Sequence, residues 1–378
     1  MLDFFVALGG FFLALWTLLT SFLPIGTMRI TVEPAVFDCG NDYYAVVWAT
    51  SSKGSGCVKY TYNCEEKTVW DDSVGVIRTN DKVHSVLIPK KELQGNKYKV
   101  VSQYVGYKLG YSASKGKTVE SEEYLFGGIA KEDDIKILCI SDIHYMEKEM
   151  KKSLQYFTET PDMIALLGDI SSTTETKEQF INYMLKNASY LSKSVVPVVY
   201  SRGNHETRGE FCSEVINYLP TETGGYYYTF EFGPLGAVVV DTGEDKVDDH
   251  KEYSGLVNFE EYRNKEYEWL TSLDKSEFEN SRYKIVFTHH PVLSDIFGQD
   301  WTAPLKDLEM DLIVGGHYHK SDFVEAEGEI PIFFECGKNN RNEGTWAASM
   351  MTLKDDTIHM LTIDDSGTTL LDKTISVN

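Results

Sequence analysis

The hydrophobic rhythm of the chain changes twice. From about Met28 to Tyr124, short runs of β-formers such as YYAVVWAT, CVKYTYNC and KVHSVLIP are broken by Gly, Asn and Ser. None of the gaps carries the three-to-four spacing of a helix, so the pattern predicts an all-β sandwich over 28–124. LFGGIAKEDD, over 125–134, reads as a linker. Beyond it, apolar runs alternate with amphipathic segments: IKILCIS then MEKEMKKSLQYF, MIALLGD then KEQFINYMLKNASYL, VVPVVYS then FCSEVINYL. Strands alternating with helices predict βα units around a buried sheet, so residues 135–378 are expected to be an α/β domain. AVVVD, FEEYRNKEYEWLTSL, YKIVFTH, DLIVGG and IPIFFE continue the alternation, and the last forty residues return to short strands.

Residues 2–26 fit neither pattern. They are apolar with one charge, Asp3. The run is longer than the core of a signal peptide and lacks a basic start and a small-residue cleavage site. It is long enough to span a membrane, which takes about 20 apolar residues. Segment 1–27 is therefore expected to be an uncleaved signal anchor, in preference to a cleaved signal peptide. Its flanks carry only Arg29 and the amino terminus, which specify orientation weakly.

Composition narrows the function. The chain has 378 residues, 42% hydrophobic, and a net charge of −22. That charge argues against binding long nucleic acids, which rests on clustered Lys and Arg. Of the six cysteines, Cys57 and Cys64 are close enough in sequence to pair across a hairpin, and Cys139 and Cys336 read as buried thiols. GYSASKGKT, Gly110 to Thr118, looks like a phosphate loop but has five residues between its glycines where that motif needs four, so it reads as a turn.

The chemistry sits at strand ends. ILCISDIH ends in Asp142 and His144, IALLGDIS in Asp169, and VVYSRGNHE in Asn204, His205 and Glu206. IVFTHHP ends in His289 and His290, and LIVGGHYH in His317 and His319. Open α/β sheets bind ligands beyond the carboxyl ends of their strands. Carboxylates, imidazoles and an amide oxygen together suit borderline metal ions such as Zn, Mn or Fe. Residues two apart, as in DIH and HYH, project to one side of an extended chain.

The ordered set DIH, GDI, GNHE, HHP and GHYH resembles the calcineurin-like metallophosphoesterase superfamily over roughly 135–335. The upstream strands, with Trp48 and Tyr60 in core positions, resemble the fibronectin-III-like domain of purple acid phosphatases. The resemblance implies an α/β/β/α sandwich and two divalent or trivalent ions. Asp142, His144 and His319 would hold one, Asn204, His289 and His317 the other, and Asp169 would bridge them. It implies metal-bound hydroxide as nucleophile and His205 facing the leaving-group oxygen. The tyrosine ligand of purple acid phosphatases is replaced by Ser172, and His144 is an added ligand, so the purple tyrosinate site is not expected. GDISSTTET also lacks the Asp-Arg-Gly of protein Ser/Thr phosphatases.

Four residues are expected in supporting or substrate-side roles: Glu206, Arg202, Arg208 and His290. Arg202 and Arg208 flank the GNHE loop, where each could meet phosphate or brace the loop. Gly203 is expected to let that loop turn tightly. The acidic loop Asp241 to Gly255 reads equally as a pocket rim or a solvated loop. The expected function is hydrolysis of phosphate esters, with monoesters favoured over a cyclic-nucleotide phosphodiesterase or nuclease on the same site. A non-catalytic cell-surface binding protein is the remaining alternative. The protein is expected to be membrane-anchored with its catalytic domain outside the cytoplasm, or secreted.

Overall fold

The computed structural model describes residues 6–12, 14–16, 26–40, 42–110, 112–127 and 133–377. Much of the expected anchor lies outside them. Residues 6–12 and 14–16 are helical, and among the described residues no helix is long and apolar enough to cross a membrane. Part of the expected linker, 128–132, also lies outside.

Two sheets pack face to face in the C-terminal part. The first runs Thr369–Ser376, Thr357–Asp364, Trp346–Lys354, Ile135–Ile140, Met163–Leu167, Pro197–Ser201. The last three of these are parallel to one another. The second runs Tyr228–Phe232, Leu235–Val240, Tyr283–Thr288, Leu312–Gly315, Ile332–Phe334, Asp322–Val324, with its four middle strands parallel. Alternate strand residues point to opposite faces. Ile137, Cys139, Ala165 and Val199 of the first sheet accordingly meet Phe230, Val239, Ile285, Phe287 and Val314 of the second in one dry layer.

The outer faces are covered by helices. Leu138, Ile140, Ile164 and Leu166 pack on the Glu147–Ser153 helix and on the helical stretch from Lys177 to Ser192. Val238, Val286 and Ile313 pack on the Phe259–Ser272 helix and on Thr302–Asp307. FCSEVINYL, which has a helical pattern, forms only the 3₁₀ turn Cys212–Asn217.

Ahead of this lies an all-β unit whose strands surround Trp48, Tyr98 and Phe126 in a separate apolar core. Tyr43–Tyr62 is its backbone. The first half of that strand pairs with Ile30–Asp38 and Asp81–Pro89, and the second half with Glu65–Trp70 and Lys97–Leu109. The unit joins the α/β part directly, because Ile30–Asp38 pairs in parallel with Pro197–Ser201. The thiols of Cys57 and Cys64 are free. Cys57 lies opposite Trp70, whereas Tyr62 lies opposite Glu65. Cys64 therefore sits in the turn, five strand residues and about 17 Å beyond Cys57, too far for a disulfide.

Candidate metal centre

The carboxyl ends of both sheets meet at Asp169. Five loops reach it, each leaving a buried strand: Asp142 after Ile135–Ile140, Asp169 after Met163–Leu167, Asn204 after Pro197–Ser201, His289 after Tyr283–Thr288 and His317 after Leu312–Gly315. The structure brings all seven expected ligands into this cluster, with Asp142, Asp169, Asn204 and His289 buried.

Backbone partners aim the imidazoles. His289 donates Nδ1–H to the Leu167 carbonyl at 2.7 Å, leaving Nε2 at 3.4 Å from Asp169 Oδ2. His319 donates Nδ1–H to the Lys338 carbonyl at 3.0 Å, and its Nε2 lies 3.6 Å from Asp142 Oδ1. His144 has Nδ1 at 3.3 Å from Ser172 Oγ, and Nε2 at 3.6 Å from Asp142 Oδ1 and 3.4 Å from Asp169 Oδ2. Asn204 Oδ1 is 3.2 Å from His289 Nε2. The His317 backbone N–H donates to Asp142 Oδ2 at 3.0 Å, and its ring packs 5.2 Å from that of His289.

These spacings fit ions. Carboxylate oxygens and ring nitrogens 3.4–3.6 Å apart are too far for an N–H···O bond, which spans about 2.7–3.2 Å. They match donors sharing an ion with bonds of about 2.0–2.2 Å. Asp142, His144 and His319 form one group able to hold a metal, and Asp142, Asp169 and His289 another. Asp142 Oδ1 is buried with no hydrogen-bond partner among the described residues, a costly state that a cation relieves.

The clustered carboxylates and imidazoles also shift one another's charge. Burial alone would raise the Asp169 carboxyl, but the His289 and His144 rings beside it hold it well below its ordinary value. Burial opposes charge on His144, yet Asp142 and Asp169 lift it to about 9. His317 is pushed down to about 4 by burial and by the neighbouring His289 and His290, so its ring is neutral.

Backbone strain accompanies the convergence. Asp142, His144, Asp169, His317 and His319 all have φ between 41° and 67°. Asp and His tolerate this left-handed region better than most residues, but each such position still costs about 1–3 kcal/mol. The GNHE loop approaches more closely than a turn requires. A Cβ on Gly203 would overlap Asp169 N and Oδ1 and Glu206 Oε2, while its own φ is not in the left-handed region. Gly203 is thus needed for close approach, not for the tight turn expected from the sequence.

Two carboxylates brace the loops. Glu206 is buried and accepts backbone N–H groups of Asp169 at 2.8 Å, Ser171 at 2.9 Å and Gly203 at 2.9 Å, stapling two ligand loops together. Burial and the nearby Asp169 push its carboxyl up to about 7. Glu244, from the acidic loop, is the residue sequence reasoning missed. It accepts Arg208 Nε–H at 2.7 Å and NH2 at 3.2 Å, and Asn204 Nδ2–H at 3.3 Å, which fixes the Asn204 amide with its oxygen toward His289. Its signal was a carboxylate just past a buried strand, inside a loop already rich in them.

His205 stands at the rim. It donates Nδ1–H to the Ser172 carbonyl at 2.9 Å, and its Nε2 lies 3.8 Å from Asp169 Oδ2. Arg208 NH1 lies 3.3 and 3.1 Å from its two ring nitrogens. Burial, with help from Arg208, lowers its pKa. The other two candidates have partners of their own. Arg202 pairs with Asp241 at 2.8 Å between Tyr226 and Tyr262. His290 packs behind His317, with Nε2 at 3.2 Å from the Tyr318 hydroxyl.

Comparison with known proteins agrees with this geometry. The family model for calcineurin-like phosphoesterases matches residues 135–321. This part of the chain is a calcineurin-like phosphoesterase domain. No curated protein sequence matches the chain. Among solved structures, purple acid phosphatase PPD1 from yellow lupin (Lupinus luteus) is similar at 13% identity and a TM-score of 0.60, covering 91% of this chain and 74% of its own. PhoD is similar at 10% identity and a TM-score of 0.52, covering 92% of each chain. Identities this low speak for the fold. Family and donor groups together make the chain a metal-dependent phosphoesterase.

Proposed function

We propose that the protein hydrolyses phosphate monoesters with two metal ions held on either side of Asp169. Asp142, His144 and His319 would hold one ion, Asn204, His289 and His317 the other, and Asp169 both. Such ions supply Lewis acidity and a nucleophilic water at neutral pH. The observation that carries the reading is Asp169 Oδ2, which faces Nε2 of His144 and of His289 at 3.4 Å on each side.

The chain's own residues do the rest. The Ser172 carbonyl orients His205 so that Nε2 faces the cluster, within reach of a leaving oxygen bound there. Arg208, held by Glu244, directs NH1 beside that ring and offers a donor to a phosphate oxygen there. The buried strands under the loops exclude water from the ligands' far side. Ser172 stands where a tyrosinate would be needed, which supports a non-purple centre. We further propose attachment to a membrane through residues 2–26, a reading supported by the single charge in that run.

The test is steady-state hydrolysis of matched aryl phosphate mono- and diesters by the full chain with Mn, Zn or Fe. Faster monoester turnover is expected. Turnover of diesters alone would replace the monoester reading with a phosphodiesterase.

A further inference from the structure

The end of the β unit from which the N-terminal segment departs has an unusual surface. Gly26 lies against Tyr104 and Gly116, and its carbonyl accepts the Lys117 N–H at 3.0 Å. Whatever path residues 2–25 take, their attached end is fixed here. Beside it stands the hairpin Asp72–Ser73/Val76–Ile77, tied down by the Asp71 N–H to the Gly56 carbonyl at 2.9 Å and by Lys108 Nζ to the Ile77 carbonyl at 3.4 Å. The hairpin carries Val74 fully exposed at 100% and Val76 at 57%, and the neighbouring strand tip carries Leu109 at 55%. Trp70, at 43% exposed, flanks them.

Charge adds a second, independent observation. In a chain of net charge −22, residues 104–119 contain Lys108, Lys115 and Lys117 and no acidic residue. All three lysines are exposed. Of the nearby acids, Asp71 is buried against Arg78 and His84, and Asp72, exposed on the hairpin, accepts the Gly75 N–H. Exposed apolar tips beside exposed lysines, with an exposed tryptophan, are what a lipid headgroup layer receives.

We propose that this end of the β unit docks on an anionic lipid bilayer, with Val74, Val76 and Leu109 entering the headgroup layer and Lys108, Lys115 and Lys117 meeting lipid phosphates. The surface is distinct from the metal centre, and the inference does not depend on the substrate. The apolar N-terminal segment would act as one attachment, and this basic end as a second contact that lays the β unit against the same surface.

Flotation of the full chain on phosphatidylcholine vesicles with and without phosphatidylserine tests this. Each lysine near an anionic surface is worth about fivefold in partitioning. The chain should bind anionic vesicles tenfold or more tighter than neutral ones, and high salt should erase the difference. K108E/K115E/K117E should lose the preference, as should the milder K108Q/K115Q/K117Q. V74D/V76D should weaken binding to both vesicle types. K265E/K275E/K306E, on the far sheet's outer face, should change nothing. All variants should hydrolyse soluble aryl phosphate at the wild-type rate, which shows they are folded. Equal binding to both vesicle types, an anionic preference that survives the lysine replacements, or its equal loss in the control would overturn the proposal. So would self-association through this end without lipid binding.

Discussion

At the residue scale, two side chains outside the ligand set carry distinct expectations. In the proposed reaction His205 faces the leaving oxygen, so His205→Ala should lower kcat by about 10²–10⁴. The loss should be larger for alkyl phosphates, whose leaving groups need a proton, than for nitrophenyl phosphate, whose leaving group does not. An equal loss on both would leave His205 a binding residue only. Glu244 acts through others, holding the Asn204 amide and Arg208. Glu244→Ala should weaken metal affinity about 10–100-fold, measured by calorimetric titration, and Glu244→Gln should recover part of it. An affinity unchanged in both would show that Asn204 orients itself. The clustering of the candidate donors was legible because their loops each follow an apolar strand. Glu244 and the Ser172 carbonyl were not, because their roles exist only once two separate loops have converged.

At the element scale, the βα rhythm after residue 135 specified the strands well, because fully buried strands show as unbroken apolar runs such as MIALL and LGAVVV. What the rhythm could not show was that the parallel strands divide between two facing sheets. Either arrangement produces the same runs. The helical pattern of FCSEVINYL failed for a related reason: only Val215 within that turn is buried, so no continuous face rewards a longer helix. The loops carry their own constraint. Gly203→Ala would drive a Cβ into Asp169 and Glu206. It should cost about 1–3 kcal/mol, the usual range for overpacking, and should reduce metal affinity as well. Thermal unfolding with and without metal checks both. A variant with wild-type stability and affinity would mean that the loop relaxes freely.

At the scale of the whole molecule, the β unit is built into the catalytic sheet. Its first strand extends that sheet at Pro197–Ser201. The Tyr98 hydroxyl donates to the Ser194 carbonyl at 2.7 Å, and the Ser194 hydroxyl donates to the Pro34 carbonyl at 2.6 Å. Asp81 accepts from Lys177 Nζ at 2.5 Å and from the Tyr218 hydroxyl at 2.6 Å. Burial would raise the Asp81 carboxyl, but Lys177 and Tyr218 outweigh it and hold it below its ordinary 3.8. A depressed carboxyl stabilises the fold above its unfolded value and loses that contribution as pH falls through the folded one. Asp81→Asn should therefore cost about 1–3 kcal/mol at neutral pH, and the gap to wild type should close below pH about 4. Denaturant unfolding across pH reads it. A gap that stays constant to pH about 3 would remove the charge from the account.

The central claim is that phosphate-ester hydrolysis depends on ions gathered at Asp169. The most direct measurement is turnover of an aryl phosphate by chelator-stripped full chain as metal is added back, beside Asp169→Asn. Turnover should vanish on stripping and return with a break at two equivalents of metal, and the variant should recover less than about one part in a hundred. Full turnover by the stripped protein, or wild-type recovery by Asp169→Asn, would contradict it.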